Sequence, residues 1–134
     1  MIVVDTNILG YLYLTSERSA QAEALYQIDP LWAAPRLWRS ELRNVLTYYL
    51  RKKIVSLSDA IRIMESAADV LGGREYEVAS LPVLELAAKS GCSAYDCEFV
   101  ALAQALKTRL VTVDQQVLEQ FPTTAVDLDG YLAD

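Results

Sequence analysis

Two stretches decide the fold: Met1-Ile-Val-Val-Asp5 and Leu110-Val-Thr-Val-Asp114. Each is a short apolar run rich in β-branched residues that ends in an aspartate, a pattern typical of a buried strand in a parallel sheet. Strand-like runs alternate with helical patterns along the rest of the chain. The alternation predicts an α/β fold, a three-layer α/β/α sandwich around a central, mostly parallel sheet of about five strands.

The predicted elements follow one another without a linker, so residues 1–134 are expected to form a single domain. Strands are predicted near 2–5, 31–34, 76–79, 109–113 and 124–128. Helices are predicted near 7–14, 17–28, 36–52, from Ser56 or Ser58 to 71, from Pro82 to about Gly91, 94–107 and 115–120. With 53% hydrophobic residues, the chain can bury a core without a disulfide or a structural metal.

The composition also excludes several classes of protein. Two cysteines and no histidine cannot supply the usual ligands of a zinc site. Cys92 and Cys97 are expected to be free thiols in a reducing cytoplasm. The N-terminus lacks the basic segment of a signal peptide, and no apolar run reaches the ~18 residues of a membrane span, so no membrane association is expected.

Four acids lie in or beside apolar segments, where a carboxylate is costly: Asp5, Glu41, Asp96 and Asp114. Asp5 and Asp114 follow predicted strands, and the carboxyl ends of parallel strands meet at one edge of a sheet. Asp96 begins a helix that is apolar along most of its length. On a helical wheel Glu41 falls near the apolar face, away from the face shared by the nearby arginines. We therefore expect the four carboxylates to converge in one crevice.

Each acid also has a structural explanation, which the sequence alone leaves open. Asp5 and Asp114 are placed to cap the helices that follow them, and Ser93-x-x-Asp96 has the spacing of a capping box. Glu41 could be a residue at the edge of the apolar face that extends its carboxylate to solvent. Two carboxylates ~4 Å apart repel by about 4 kcal/mol at an effective dielectric constant of 20, so a convergent cluster favours a bound cation. Ligands that are all oxygen atoms select Mg²⁺ or Mn²⁺. The neutral side chains that would support such a site are Thr6, Asn7, Ser93 and Thr112.

The overall charge of −6 argues against a nucleic-acid partner, but the basic residues are concentrated in one segment. Residues 36–53 hold six of the 12 basic residues and one acid, a local charge of +5 that leaves −11 for the rest. One interpretation is a rim that binds RNA phosphates, with Arg36, Arg39 and Arg43 as candidates. The other is an ordinary solvated helix face.

The four acidic segments together resemble the PIN-domain ribonucleases, in particular the VapC-type toxins of toxin–antitoxin pairs. The segments are Ile2-Val-Val-Asp5-Thr-Asn-Ile-Leu9, Pro35-Arg-Leu-Trp-Arg-Ser-Glu41-Leu-Arg-Asn-Val-Leu46, Ser93-Ala-Tyr-Asp96-Cys-Glu-Phe-Val-Ala-Leu-Ala103 and Leu110-Val-Thr-Val-Asp114. The resemblance spans nearly the whole chain and keeps the order of the motifs. It implies a PIN-like sandwich, a homodimer, a cognate antitoxin, and Asp5, Glu41, Asp96 and Asp114 as catalytic, metal-binding acids.

The expected activity is hydrolysis of single-stranded or looped RNA by water that Mg²⁺ activates, which leaves 5′-phosphate and 3′-hydroxyl ends. Without histidine, the chain has no imidazole general base. Two alternatives stay open. One is a phosphatase or phosphotransfer domain with an aspartate nucleophile, although Asn7 stands where such enzymes normally carry a second acid. The other is a catalytically weak binding module that acts mainly through its antitoxin.

Overall fold

The computed structural model describes residues 1–133, which form a five-stranded, wholly parallel sheet with helices packed around it. The strands are β1 (Ile2–Val4), β2 (Trp32–Pro35), β3 (Glu75–Tyr76), β4 (Leu110–Thr112) and β5 (Ala125–Asp127). Their order across the sheet is β3-β2-β1-β4-β5. The predicted α/β/α sandwich with a parallel sheet is confirmed.

Seven of the helices in the described residues connect these strands, and an eighth follows β5. They are α1 (Thr6–Tyr13), α2 (Ser19–Ile28), α3 (Trp38–Arg51), α4 (Leu57–Leu71), α5 (Ser80–Ala88), α6 (Ala94–Ala105), α7 (Gln115–Gln120) and α8 (Leu128–Ala133). Helix α4 shows how local sequence sets a boundary. Ser56 and Asp59 form a capping box at its start, and Gly72 ends it in the left-handed conformation, with φ of 56°.

The register of the sheet places the ends of β1 and β4 side by side. Val4 of β1 is paired with Val111 of β4, and the Asp5 N–H donates to the Val111 carbonyl at 3.1 Å. Because the strands are parallel, the residues that follow them leave the sheet at the same edge. The segments after β1 and β4 are therefore neighbours although 107 residues separate Thr112 from Asp5.

The core lies between the sheet and the helices that pack on it, which include α1, α4 and α6, and α3 packs against α1 and α4. Val3 and Val4 are fully buried, as are Trp32 and Trp38. Helix α6 is buried along Phe99–Ala103 because it packs against β1, β2 and β4. Its apolar sequence reflects this burial. None of the helices in residues 1–133 has the length and apolar character needed to cross a bilayer.

Three details differ from the sequence prediction. The strand expected at 76–79 is wrong beyond its first residue, because β2 ends at Pro35, opposite Tyr76, and offers no backbone partner further on. Helix α5 begins at Ser80, so Pro82 lies within its first turn, where a missing N–H costs nothing. The short helix α8 was not predicted, since six residues that include Gly130 give little periodic signal.

Candidate active site

The four predicted acids line a single cavity of about 220 Å³ at the carboxyl edge of the sheet. The other residues that line it are Thr6, Asn7, Asn44 and Val45. No basic side chain is among these lining residues. The cavity therefore concentrates negative charge without a counter-charge from the chain.

Each acid lies at the N-terminus of a different helix. Asp5 caps α1, and the Asp114 carboxylate caps α7 by accepting the Val117 N–H at 3.0 Å. Asp96 is in the first turn of α6, and Glu41 is in the first turn of α3. The positive end of each helix dipole stabilises a carboxylate there. The capping explanation therefore holds for Asp5 and Asp114, and it is compatible with convergence, because the four helices begin around one cavity.

A buried threonine fixes the carboxylate of Asp5. The Thr112 hydroxyl donates to Asp5 Oδ2 at 2.8 Å and accepts the Asp114 N–H at 3.1 Å, so one side chain joins two of the acids. Burial raises the pKa of Asp5, and the charges of Asp96 and Asp114 raise it further. The hydrogen bonds from Thr112 and the Asn7 N–H oppose that rise in pKa.

A second buried threonine holds Glu41. The Thr6 hydroxyl donates to Glu41 Oε1 at 2.7 Å, which ties α1 to α3. Burial raises the pKa of Glu41, the Thr6 hydrogen bond lowers it, and the charges of Asp5 and Asp96 raise it again. Burial followed by the charge of Asp114 raises the pKa of Asp96, while the Ser93 hydroxyl, which accepts the Asp96 N–H at 3.1 Å, acts in the opposite direction.

The donor set fits a hard divalent cation. It consists of carboxylate oxygens with neutral hydroxyl and amide groups beside them, the ligands that Mg²⁺ and Mn²⁺ prefer. In residues 1–133, however, no three acids, cysteines or histidines are close enough to form a ready-made metal cluster. The carboxylates share a cavity without touching, as their mutual repulsion requires. Coordination by three of them would require side-chain rotation.

The three predicted RNA-backbone arginines do not line this cavity. Arg39 makes a two-pronged ion pair with Glu75, with Nε to Oε1 at 2.7 Å and the second nitrogen to Oε2 at 2.8 Å. The indole N–H of Trp38 donates to the same Oε1. Arg43 donates to the Arg39 carbonyl, and Arg36 is exposed. The arginine face of α3 therefore turns away from Glu41, as the helical wheel indicates.

One polar residue of the cavity was not among the candidates. Asn44 follows Glu41 by three positions, so it lies on the same face of α3 and brings a neutral amide to the rim of the cavity. The helical wheel that places Glu41 on the inward face also places Asn44 there, so the sequence could have identified Asn44 as a candidate.

Comparison with known proteins identifies the family. The family model for the PIN domain matches residues 2–122. Ribonuclease VapC3 of Pyrobaculum aerophilum is 32% identical over 125 residues, which cover 90% of this chain and 95% of that protein. The crystal structure of PAE2754 from Pyrobaculum aerophilum is similar in fold, with a TM-score of 0.77 at 23% identity over 98% of this chain and 93% of that one. VapBC2 from Rickettsia felis, solved with a fragment of promoter DNA, has a TM-score of 0.56 at 15% identity over 95% of this chain and 98% of that one. The chain therefore belongs to the PIN-domain family, among its VapC-type members.

Proposed function

We propose that the chain is a ribonuclease that depends on Mg²⁺ or Mn²⁺ and serves as the toxin of a toxin–antitoxin pair. The observation that carries the proposal is the single cavity shared by four acids from four helix N-termini. The name of the VapC3 relative supports RNA as the substrate, because the identity extends over 90% of this chain.

Asp5, Glu41, Asp96 and Asp114 would hold the cation. A bound divalent cation supplies a water nucleophile at neutral pH and neutralises charge that develops on a phosphodiester. The hydroxyls of Thr112 and Thr6 orient the carboxylates of Asp5 and Glu41. These two carboxylates therefore lose little conformational entropy when the substrate binds.

Attack by water on phosphorus, with the 3′ oxygen leaving, would give 5′-phosphate and 3′-hydroxyl ends. Because the chain has no histidine, the proton of the attacking water passes to a carboxylate or to solvent. Asn44 is placed at the cavity rim to donate its amide to a phosphate oxygen.

We also propose that the chain works in the cytoplasm as a homodimer with a cognate antitoxin, as the resemblance implies. Exposed apolar side chains support protein partners. Leu57 and Ile61 of α4 are four residues apart and 70% and 54% exposed, and Leu81 and Leu84 of α5 are 69% and 61% exposed. Apolar groups grouped in this way are typical of interaction surfaces.

The test is incubation of the purified chain with single-stranded RNA, with Mg²⁺ or with EDTA, followed by sequencing of the product ends. We expect cleavage with Mg²⁺, none with EDTA, and 5′-phosphate ends. Asp5→Asn keeps the helix cap and should abolish cleavage. Ends with 2′,3′-cyclic phosphate, or equal cleavage in EDTA, would refute the chemistry. A covalent aspartyl-phosphate would indicate a phosphotransfer domain instead.

A further inference from the structure

Two residues of α3 and the residue that caps its C-terminus form a ridge that leads away from the acid cavity. Asn44, Tyr48 and Lys52 are spaced four residues apart, so their side chains lie on one face of the helix, each about 6 Å further along its axis. Asn44 lines the cavity, so the ridge begins at the candidate active site. We call these three residues the α3 ridge.

Tyr48 presents an exposed aromatic ring on this ridge. The residue is 57% exposed, whereas the adjacent Tyr49 packs against the core. The Tyr49 ring meets the Tyr48 ring edge to face, with centroids 5.4 Å apart at 88°. The ammonium of Lys52 lies 5.6 Å from the Tyr48 centroid. These two contacts hold the ring in place while more than half of the side chain stays open to solvent.

The basic residues at the C-terminal end of α3 form a cluster, whereas several other cations of the chain are engaged elsewhere. Arg39 is paired with Glu75, and Arg74 and Arg109 donate to backbone carbonyls. In contrast, Arg51–Lys53 is an exposed run of three cations, and no ion pair involves it among residues 1–133. An RNA strand that enters a cavity of four acids is repelled there, so its attraction has to come from outside the cavity.

We propose that the α3 ridge is a binding track for single-stranded RNA. One base stacks on Tyr48, Lys52 contacts a phosphate, and Asn44 lies next to the scissile phosphate. The inference rests on the proposed ribonuclease function and adds the path of the strand. Stacking on an aromatic ring tolerates any base, and a neighbouring cation on the backbone completes the arrangement that proteins use for single strands. The step of about 6 Å between ridge residues suits successive units of an extended strand.

The experiment is equilibrium binding of a short, fluorescently labelled single-stranded RNA of mixed sequence, measured in EDTA so that no hydrolysis occurs, at several salt concentrations. Tyr48→Ala should weaken binding about 5- to 150-fold without changing the salt dependence, because a stacked base contributes about 1–3 kcal/mol. Tyr48→Phe keeps the ring and should bind like the wild type. Lys52→Ala should reduce the slope of log K against log salt by about 0.7, whereas the matched control Lys89→Ala should not.

Several results would overturn the track. They are wild-type protein that binds no RNA, a Tyr48→Ala variant that binds normally, and a Tyr48→Phe variant as weak as Tyr48→Ala. Loss of antitoxin binding by Tyr48→Ala with unchanged RNA binding would assign the ridge to a protein partner and also overturn it. If the wild type cleaves RNA with Mg²⁺ but Tyr48→Ala binds RNA normally, the binding track is refuted and the ribonuclease proposal stands. If Tyr48→Ala weakens RNA binding but the wild type never cleaves RNA, the ribonuclease proposal is refuted and the binding track stands.

Discussion

Replacing Thr112 with valine removes one hydroxyl from the candidate site and keeps a side chain of similar size. The residue is 1% exposed, so water cannot take the place of the hydroxyl. The substitution deletes the donor to Asp5 Oδ2 at 2.8 Å and the acceptor of the Asp114 N–H at 3.1 Å. A hydrogen bond to a charged group contributes about 1.5–3 kcal/mol, and a neutral one about 0.5–1.5 kcal/mol. The added methyl group offsets part of the loss.

We therefore expect Thr112→Val to lower the free energy of unfolding by about 2–3 kcal/mol at neutral pH. For a chain of 134 residues this corresponds to a fall in Tm of about 7–10 °C. The loss should shrink at low pH, because Thr112 stabilises the ionised form of Asp5 and lowers its pKa. RNA cleavage should fall as well, since the Asp5 carboxylate loses its fixed orientation. Urea unfolding followed by circular dichroism, at neutral and at acid pH, measures the stability change.

Two matched variants separate the hydroxyl from the packing. Thr112→Ser keeps the hydroxyl and removes a methyl group, so it should cost about 1 kcal/mol and keep most of the cleavage activity. Thr124→Val removes a buried hydroxyl, bonded to Gln104 at 3.2 Å, from the chain outside the cavity and should leave cleavage unchanged. If Thr112→Val unfolds within 0.5 kcal/mol of wild type, on the scale of surface substitutions, and cleaves RNA at the same rate, the reasoning is wrong.

Three further predictions concern the same cavity and its surroundings. Thr6→Val should raise the pKa of Glu41 and reduce cleavage, because it removes the hydroxyl that donates to the Glu41 carboxylate. Thr6→Ser keeps that hydroxyl and should cleave at nearly the wild-type rate. Equal cleavage rates for the two variants would contradict the role of the hydroxyl. In EDTA, the free energy of unfolding should increase as the pH falls from 7 toward 4.5, the ordinary pKa of a glutamate. The reason is that the carboxylates of the cavity have raised pKa values in the folded chain, so protonation stabilises the fold. A decrease over that range would show that burial and mutual repulsion do not raise these pKa values. Arg39→Gln should lower stability by about 0.5–1 kcal/mol in low salt and by less in high salt, because the Arg39 side chain of its ion pair with Glu75 is partly exposed. Cleavage should be unchanged, since the pair lies outside the cavity, and a loss of RNA binding would show that Arg39 does contact the substrate.

The parts of the site that the sequence predicts are those set by local patterns. Asp5 and Asp114 end apolar runs, and parallel strands bring such ends to one edge. Glu41 was placed by helical periodicity, which also places Asn44 beside it. These inferences need the chemistry of a few adjacent residues and one rule of sheet topology.

The candidate residues were named from the sequence, but the partners of several of them were missed, because those contacts depend on long-range pairing. Thr112 reaches Asp5 because β4 lies next to β1, and a strand order of this kind is not visible in either segment alone. Arg39 is neutralised by Glu75, 36 residues away, so its role could not be separated from RNA binding by inspection of α3. Tyr48 is exposed because it lies on the side of α3 that does not pack against the core, and the sequence of α3 alone does not show which side that is.

Titration of the wild-type chain with Mn²⁺ at neutral pH tests most directly whether the four acids act as one cation site. We predict a saturable binding event that Asp5→Asn, Glu41→Gln, Asp96→Asn and Asp114→Asn each weaken by at least about tenfold, while Glu85→Gln on the exposed surface of α5 does not. Binding that persists unchanged in any of the four variants, or that Glu85→Gln weakens equally, would contradict the account.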